Sequence, residues 1–112
     1  MTLHGFPESD SRVFRELREV ALERFCKQVL DEVERRCRHA SKSPHERYVD
    51  MYRFLRTRDK ELAHAFDDPR RSRMIGQLAA IHSHRLLEPR ELERFTEPTR
   101  APIEWLAREL KD

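Results

Sequence analysis

Glycine is nearly missing, with 2 among 112 residues. Isoleucine, valine and threonine are sparse as well. Sheets draw on β-branched residues and their turns on glycine, so a strand-built domain is excluded. Cysteine is limited to Cys26 and Cys37. On one helix they would stand about 16 Å apart along the axis. A bridge needs Cα atoms within about 7 Å, so no disulfide within the chain is expected. Two isolated cysteines fit a reducing compartment, and the expected location is the cytoplasm. No run of about 18 apolar residues occurs, so no membrane-spanning helix is expected. The opening MTLHGFPESDSR has neither the basic nor the apolar region of a secretory leader. An excess of one charge is also lacking, the net charge being +2. A dedicated nucleic-acid binder shows a larger imbalance.

What the chain does hold is charge in bulk. Asp, Glu, Lys and Arg make up 39% of it, in company with leucine and alanine, which is a helical composition. The length suits one domain over 1–112, with residues 1–8 read as a flexible arm. Proline then marks helix starts. Ser43-Pro44-His45-Glu46 is a capping box with proline at the first helical position. Asp68-Pro69 repeats the device, and so does Glu88-Pro89-Arg90-Glu91, where Leu87 and Leu92 can form a hydrophobic staple. A last start falls within Thr96–Pro102. The expectation is all-α: a small bundle of about five helices near 9–40, 44–66, 69–86, 89–95 and 100–110. The first is long and the C-terminal ones are short.

Helix one has no glycine or proline from Glu8 to Ser43. Unbroken, it spans about 45 Å, whereas a compact domain of this length has a radius of gyration near 13 Å. It must kink or protrude. Its apolar positions Phe14, Leu17, Ala21, Phe25, Val29, Val33 and Cys37 advance mostly in steps of four, so the stripe drifts around the helix. One end can pack on its own domain and the other on a second copy. Phe14, Leu17, Phe25 and Val29 are the expected interface anchors. Helix two shows a stripe of Tyr48, Met51, Tyr52, Leu55, Leu62 and Phe66 within a third of its circumference. Helix three has Met74, Leu78 and Ile81 on one face and Gly76, Ala79 and Ala80 on another. It is expected between neighbours.

Several polar groups invite a chemical reading. Glu61 and His64 have the E-x-x-H spacing of bundle metal sites, but that template needs a second E-x-x-H and two more carboxylates, and both project nearly opposite the apolar stripe, so they read as a solvated face. His82 and His84 point about 200° apart on a helix. Cys37-x-His39 lacks the further ligands zinc requires. No catalytic residue, metal or cofactor is expected. Asp59 interrupts the apolar stripe of helix two, where a carboxylate is costly unless bonded. It reads as a buried acceptor for an arginine, a tyrosine hydroxyl or a helix N-terminus. Arg70, Arg71 and Arg73 open helix three and oppose its dipole. With Ser72 they form a candidate anion site, although Asp67 and Asp68 could balance them. The functional expectation is a small non-enzymatic protein that acts through association: a homodimer, an adaptor or a regulatory subunit, with no membrane partner. The alternative is binding of nucleic acid or a phosphorylated ligand through the helix-three arginines.

Overall fold

The computed structural model describes residues 7–67 and 73–111. Those residues form five helices: α1 Glu8–Cys37, α2 Pro44–Phe66, α3 Met74–Ser83, α4 Pro89–Leu92 and α5 Glu97–Lys111. The all-α bundle anticipated from composition is the observed architecture. Of the expected arm at 1–8, Pro7 is instead the N-cap and Glu8 is already helical; residues 1–6 lie outside the described part.

α1 is continuous over 30 residues. Glu8 and Asp10 in its first turn and Arg35 and Arg36 in its last complement the helix dipole. It ends at Cys37 rather than near 40, where Arg47 Nη1 donates to the Cys37 carbonyl at 3.0 Å. α2 starts at the anticipated capping box: Glu46 N–H donates to Ser43 Oγ, and Ser43 N–H donates to Glu46 Oε1, each at 3.1 Å. The staple pair Leu87 and Leu92 is buried around the start of α4.

The end of α3 has no glycine to use. Arg85 takes the left-handed conformation at φ 60°. Its N–H donates to the His82 carbonyl at 2.9 Å, and the Leu86 N–H reaches Ile81 at 3.3 Å. This is a Schellman closure, and the buried Leu86 supplies the accompanying apolar contact.

The core gathers at one end. α1 contributes Phe14, Leu17, Ala21 and Phe25, the end of α2 gives Ala65 and Phe66, and α3 brings Met74, Leu78 and Ile81. Leu86, Leu92, Phe95 and Ile103 close it from the C-terminal side. α3 packs most extensively on α5 and also touches α1 and α2, which is the central place expected for it. Gly76 is the exception on its small face: it is exposed, and a Cβ there would meet nothing within 4 Å.

A buried carboxylate locks this end together. Asp10 is 1% exposed. It accepts from the Thr96 N–H at 3.0 Å, the Thr96 hydroxyl at 2.6 Å and the Thr99 hydroxyl at 2.5 Å. The start of α1 is thereby tied to the start of α5. Burial alone would raise this carboxyl, but the hydrogen bonds from the Thr96 and Thr99 hydroxyls and the Thr96 backbone prevail and hold it below its ordinary value. Arg24 makes a second tie, donating to Glu91 at 2.6 and 2.9 Å and to the Leu86 carbonyl at 2.8 Å.

The other end has no core. Between Phe25 and Ala65 no residue is buried. The far half of α1 and most of α2 run as an antiparallel hairpin, and the molecule measures 58 × 26 × 24 Å. Its radius of gyration is 16.7 Å, against about 13 Å for a compact chain of this size.

Candidate functional site

The rotation of α2 about its own axis decides what the hairpin shows to solvent. Asp50, Phe54, Arg58 and Glu61 lie on the face turned to the rest of the fold and are half-buried. Arg36 of α1 donates to both carboxylate oxygens of Asp50, at 3.0 and 3.1 Å, and its guanidinium stands 4.2 Å from the Phe54 ring centroid. Arg58 lies 4.4 Å from the centroid of Phe25 and donates to Glu61 at 2.9 Å. His84, the C-cap of α3, approaches the same Glu61, Nδ1 to Oε2, at 3.5 Å. Burial pushes the His84 imidazole below its ordinary range, against the pull of Glu61. The hairpin is thus sealed by ion pairs and cation–π contacts rather than by aliphatic packing.

The apolar stripe of α2 lies about 130° around the helix from that face. It points outward. Tyr48 is 71% exposed, Tyr52 58% and Leu55 42%, and Leu30 of α1 stands beside them at 66%. Only Phe66, at the end of the stripe, is buried in the core. Where the two helices meet, Phe25, Cys26, Val29, Leu30, Leu55, Arg58, Asp59 and Leu62 line a groove of about 340 Å³.

Three expectations are corrected by this geometry. Phe14, Leu17 and Phe25, expected at an interface, are each 2% exposed and belong to the chain's own core. The near half of α1 is covered by α2 and α3, which leaves those side chains nothing to offer a partner. Phe25 and Val29 both line the groove, but of the four anchors only Val29 is half-buried rather than buried. Asp59 is exposed, not buried. Its place in the stripe is as expected, but the stripe itself faces out. Glu61, expected on a solvated face, is half-buried between Arg58 and His84, while His64 is exposed.

The candidate anion site falls mostly beyond view: Arg70, Arg71 and Ser72, like Asp68-Pro69, lie outside the described residues. Arg73 is the exposed N-cap of α3 and lines a small cavity of about 190 Å³ with His64, Gly76 and Gln77. Cys26 and Cys37 are both free thiols.

Sequence reasoning missed Asp10. It sits in the acidic first turn of α1, where any carboxylate is favoured by the dipole, so nothing in its spacing marked it. The Thr96-Glu97-Pro98-Thr99 run was the available signal, since an N-cap threonine before proline marks a helix start needing an acceptor.

A long helix, a hairpin without a core and a small helical body form a distinctive arrangement, and it has a counterpart among solved structures. The chain shares its fold with the fluorescence recovery protein. Two structures of that protein from Synechocystis sp PCC 6803, one of them an arginine-to-lysine mutant, superpose with a TM-score of 0.76. Each covers 92% of this chain and 98% of its own, at 19% sequence identity. No family model and no curated protein sequence matches the chain. At that identity the likeness to the fluorescence recovery protein is one of fold. Among the described residues, no helix is long and apolar enough to cross a membrane.

Proposed function

We propose that this chain is a non-enzymatic helical module that acts by protein–protein association, with a second copy of itself as the first partner. The observation that carries this is the outward stripe of Leu30, Tyr48, Tyr52 and Leu55 on a hairpin that has no core of its own. Contiguous exposed apolar side chains on a small soluble chain mark an interaction surface. Tyrosines are frequent anchors of such surfaces.

A second copy suits this stripe because a two-fold interface must be self-complementary. Two α2 helices crossing antiparallel near Leu55 set the Tyr52 ring of one against Leu55 of the other. The same register brings Tyr48 of one toward Asp59 of the other. Asp59, a carboxylate on the apolar face, then gains a hydroxyl donor that no described residue of its own chain supplies. The neighbours' name speaks of restored fluorescence rather than of a chemical conversion, which supports a non-enzymatic reading.

The test is mass in solution. Light scattering on the native protein should give twice the chain mass of 13.6 kDa. Leu55→Asp, at an exposed position, should give a folded monomer with unchanged helical circular dichroism. A native monomer at high micromolar concentration would remove the homodimer form and leave association with a different protein.

A further inference from the structure

The groove between α1 and α2 has a polar member to account for. Val29, Leu55 and Leu62 make its walls apolar, and Arg58 is committed to the Phe25 ring and to Glu61. Asp59 has no hydrogen bond or ion pair with any described residue. A carboxylate against apolar surface is costly when covered without a donor. An occupant of this groove therefore needs an apolar body and a donor at its tip. Tyrosine and tryptophan have that build, and the chain holds Tyr48, Tyr52 and Trp105. Tyr48 is 71% exposed and also has no partner among the described residues. It lies within about 20° of Asp59 around α2, about three turns away along the axis.

We propose that this groove is the receptor for the Tyr48 side chain of a second copy, with the ring against Val29, Leu55 and Leu62, the hydroxyl donating to Asp59, and Cys26 closed beneath. The inference rests on the self-association reading and names the pocket and the anchor within it. The two-fold crossing that sets Tyr52 against Leu55 carries the partner's hairpin tip, not the body that bears Trp105, over the groove. Tyr48 and Asp59 lie on one line of α2, so a single operation fills both grooves, about 16 Å apart. A crossing one turn further along would bring Tyr52 to Asp59 but press Leu55 onto Arg56, giving up the central apolar pair. The hydroxyl's bond to an ionised carboxylate is of the stronger, charge-assisted kind, and Asp59 thereby fixes the register of the pair. Cys26 is a half-buried wall of the groove and loses its access to solvent when the ring is seated. Cys37 is exposed and is no part of the groove.

The experiment pairs light scattering with iodoacetamide alkylation of the full chain, read separately at Cys26 and Cys37 by peptide mass spectrometry. As concentration drives the native chain from monomer to dimer, alkylation at Cys26 should slow by at least about fivefold, while Cys37 hardly changes. Tyr48→Ala and Tyr52→Ala are then compared at concentrations where each is dimeric by mass. Cys26 should be open in the first and still protected in the second. A double-mutant cycle tests the hydroxyl bond. Tyr48→Phe should weaken the dimer by at least about tenfold, and far less when Asp59→Ala is already present. Tyr52→Phe should change little. A native dimer in which Cys26 stays open overturns the Tyr48 pocket and leaves self-association standing. So does a cycle that couples Asp59 to Tyr52, or to neither tyrosine. A native chain that is monomeric at every concentration overturns the self-association reading, and the pocket with it.

Discussion

At the scale of single residues, the most consequential side chain is Asp10. Three donors converge on a carboxylate that is 1% exposed. Asp10→Ala strands two hydroxyls and one N–H, and should cost about 2–4 kcal/mol in chemical denaturation at neutral pH. Asp10→Asn keeps one acceptor and should cost less. The fold holds this carboxyl below its ordinary value of 3.8, so its contribution is complete above the unfolded-state pKa. It is lost as pH falls through the folded one. Stability should therefore drop steeply below about pH 4 in the native chain, and the drop should be shallower in Asp10→Asn. An equal slope in the two proteins would show that Asp10 is not the group responsible. Arg85 offers the opposite sign. Its φ of 60° is strained for any residue but glycine, and Arg85→Gly should raise stability by about 0.5–1 kcal/mol. Neither residue was legible beforehand. Asp10 hid among carboxylates that need no explanation, and nothing in HSHRLLEP distinguishes an arginine forced into a left-handed cap from one on a surface.

At the scale of elements, what could be read depended on whether the signal was local. Capping boxes and prolines are local, and they placed the start of α2 at Pro44 and of α4 at Pro89. The continuity of α1 follows from an unbroken run of helix formers. The rotation of α2 is not local. Its hydrophobic stripe is real, but periodicity says only that one face is apolar, not that the chain itself covers that face. Arg36, Arg58, Asp50 and Glu61 settle the matter by pairing inward. Those pairs are partly solvated, so each adds little alone; their common effect is to fix which face of α2 looks out. Arg36→Ala leaves Asp50 half-buried without its partner and strips the cation from Phe54. It should lower stability by about 1–2 kcal/mol and loosen the hairpin tip. Backbone amides of residues 45–54 should exchange faster, with those of α3 unchanged. Equal acceleration in both would mean that the hairpin and the body open as one unit.

At the scale of the whole molecule, the chain is a body with a core and a rod without one. Stability follows buried apolar contacts, and local opening is cheapest where these are few. The body, with Asp10 and Arg24 as its ties, should show the strongest hydrogen-exchange protection, above all in α3, where Met74, Leu78 and Ile81 are fully buried. The rod should exchange readily when dilute, since nothing between Phe25 and Ala65 is buried. Concentration then separates the two halves. If Tyr48, Tyr52 and Leu55 are covered by a second copy, protection over residues 45–60 rises with protein concentration by mass action, while protection in α3 hardly moves. Leu55→Asp should abolish that dependence and leave the body as it was. A rod equally protected at every concentration would mean that ion pairs and cation–π contacts alone hold a coreless hairpin closed, and the outward stripe would then need an occupant other than a second copy.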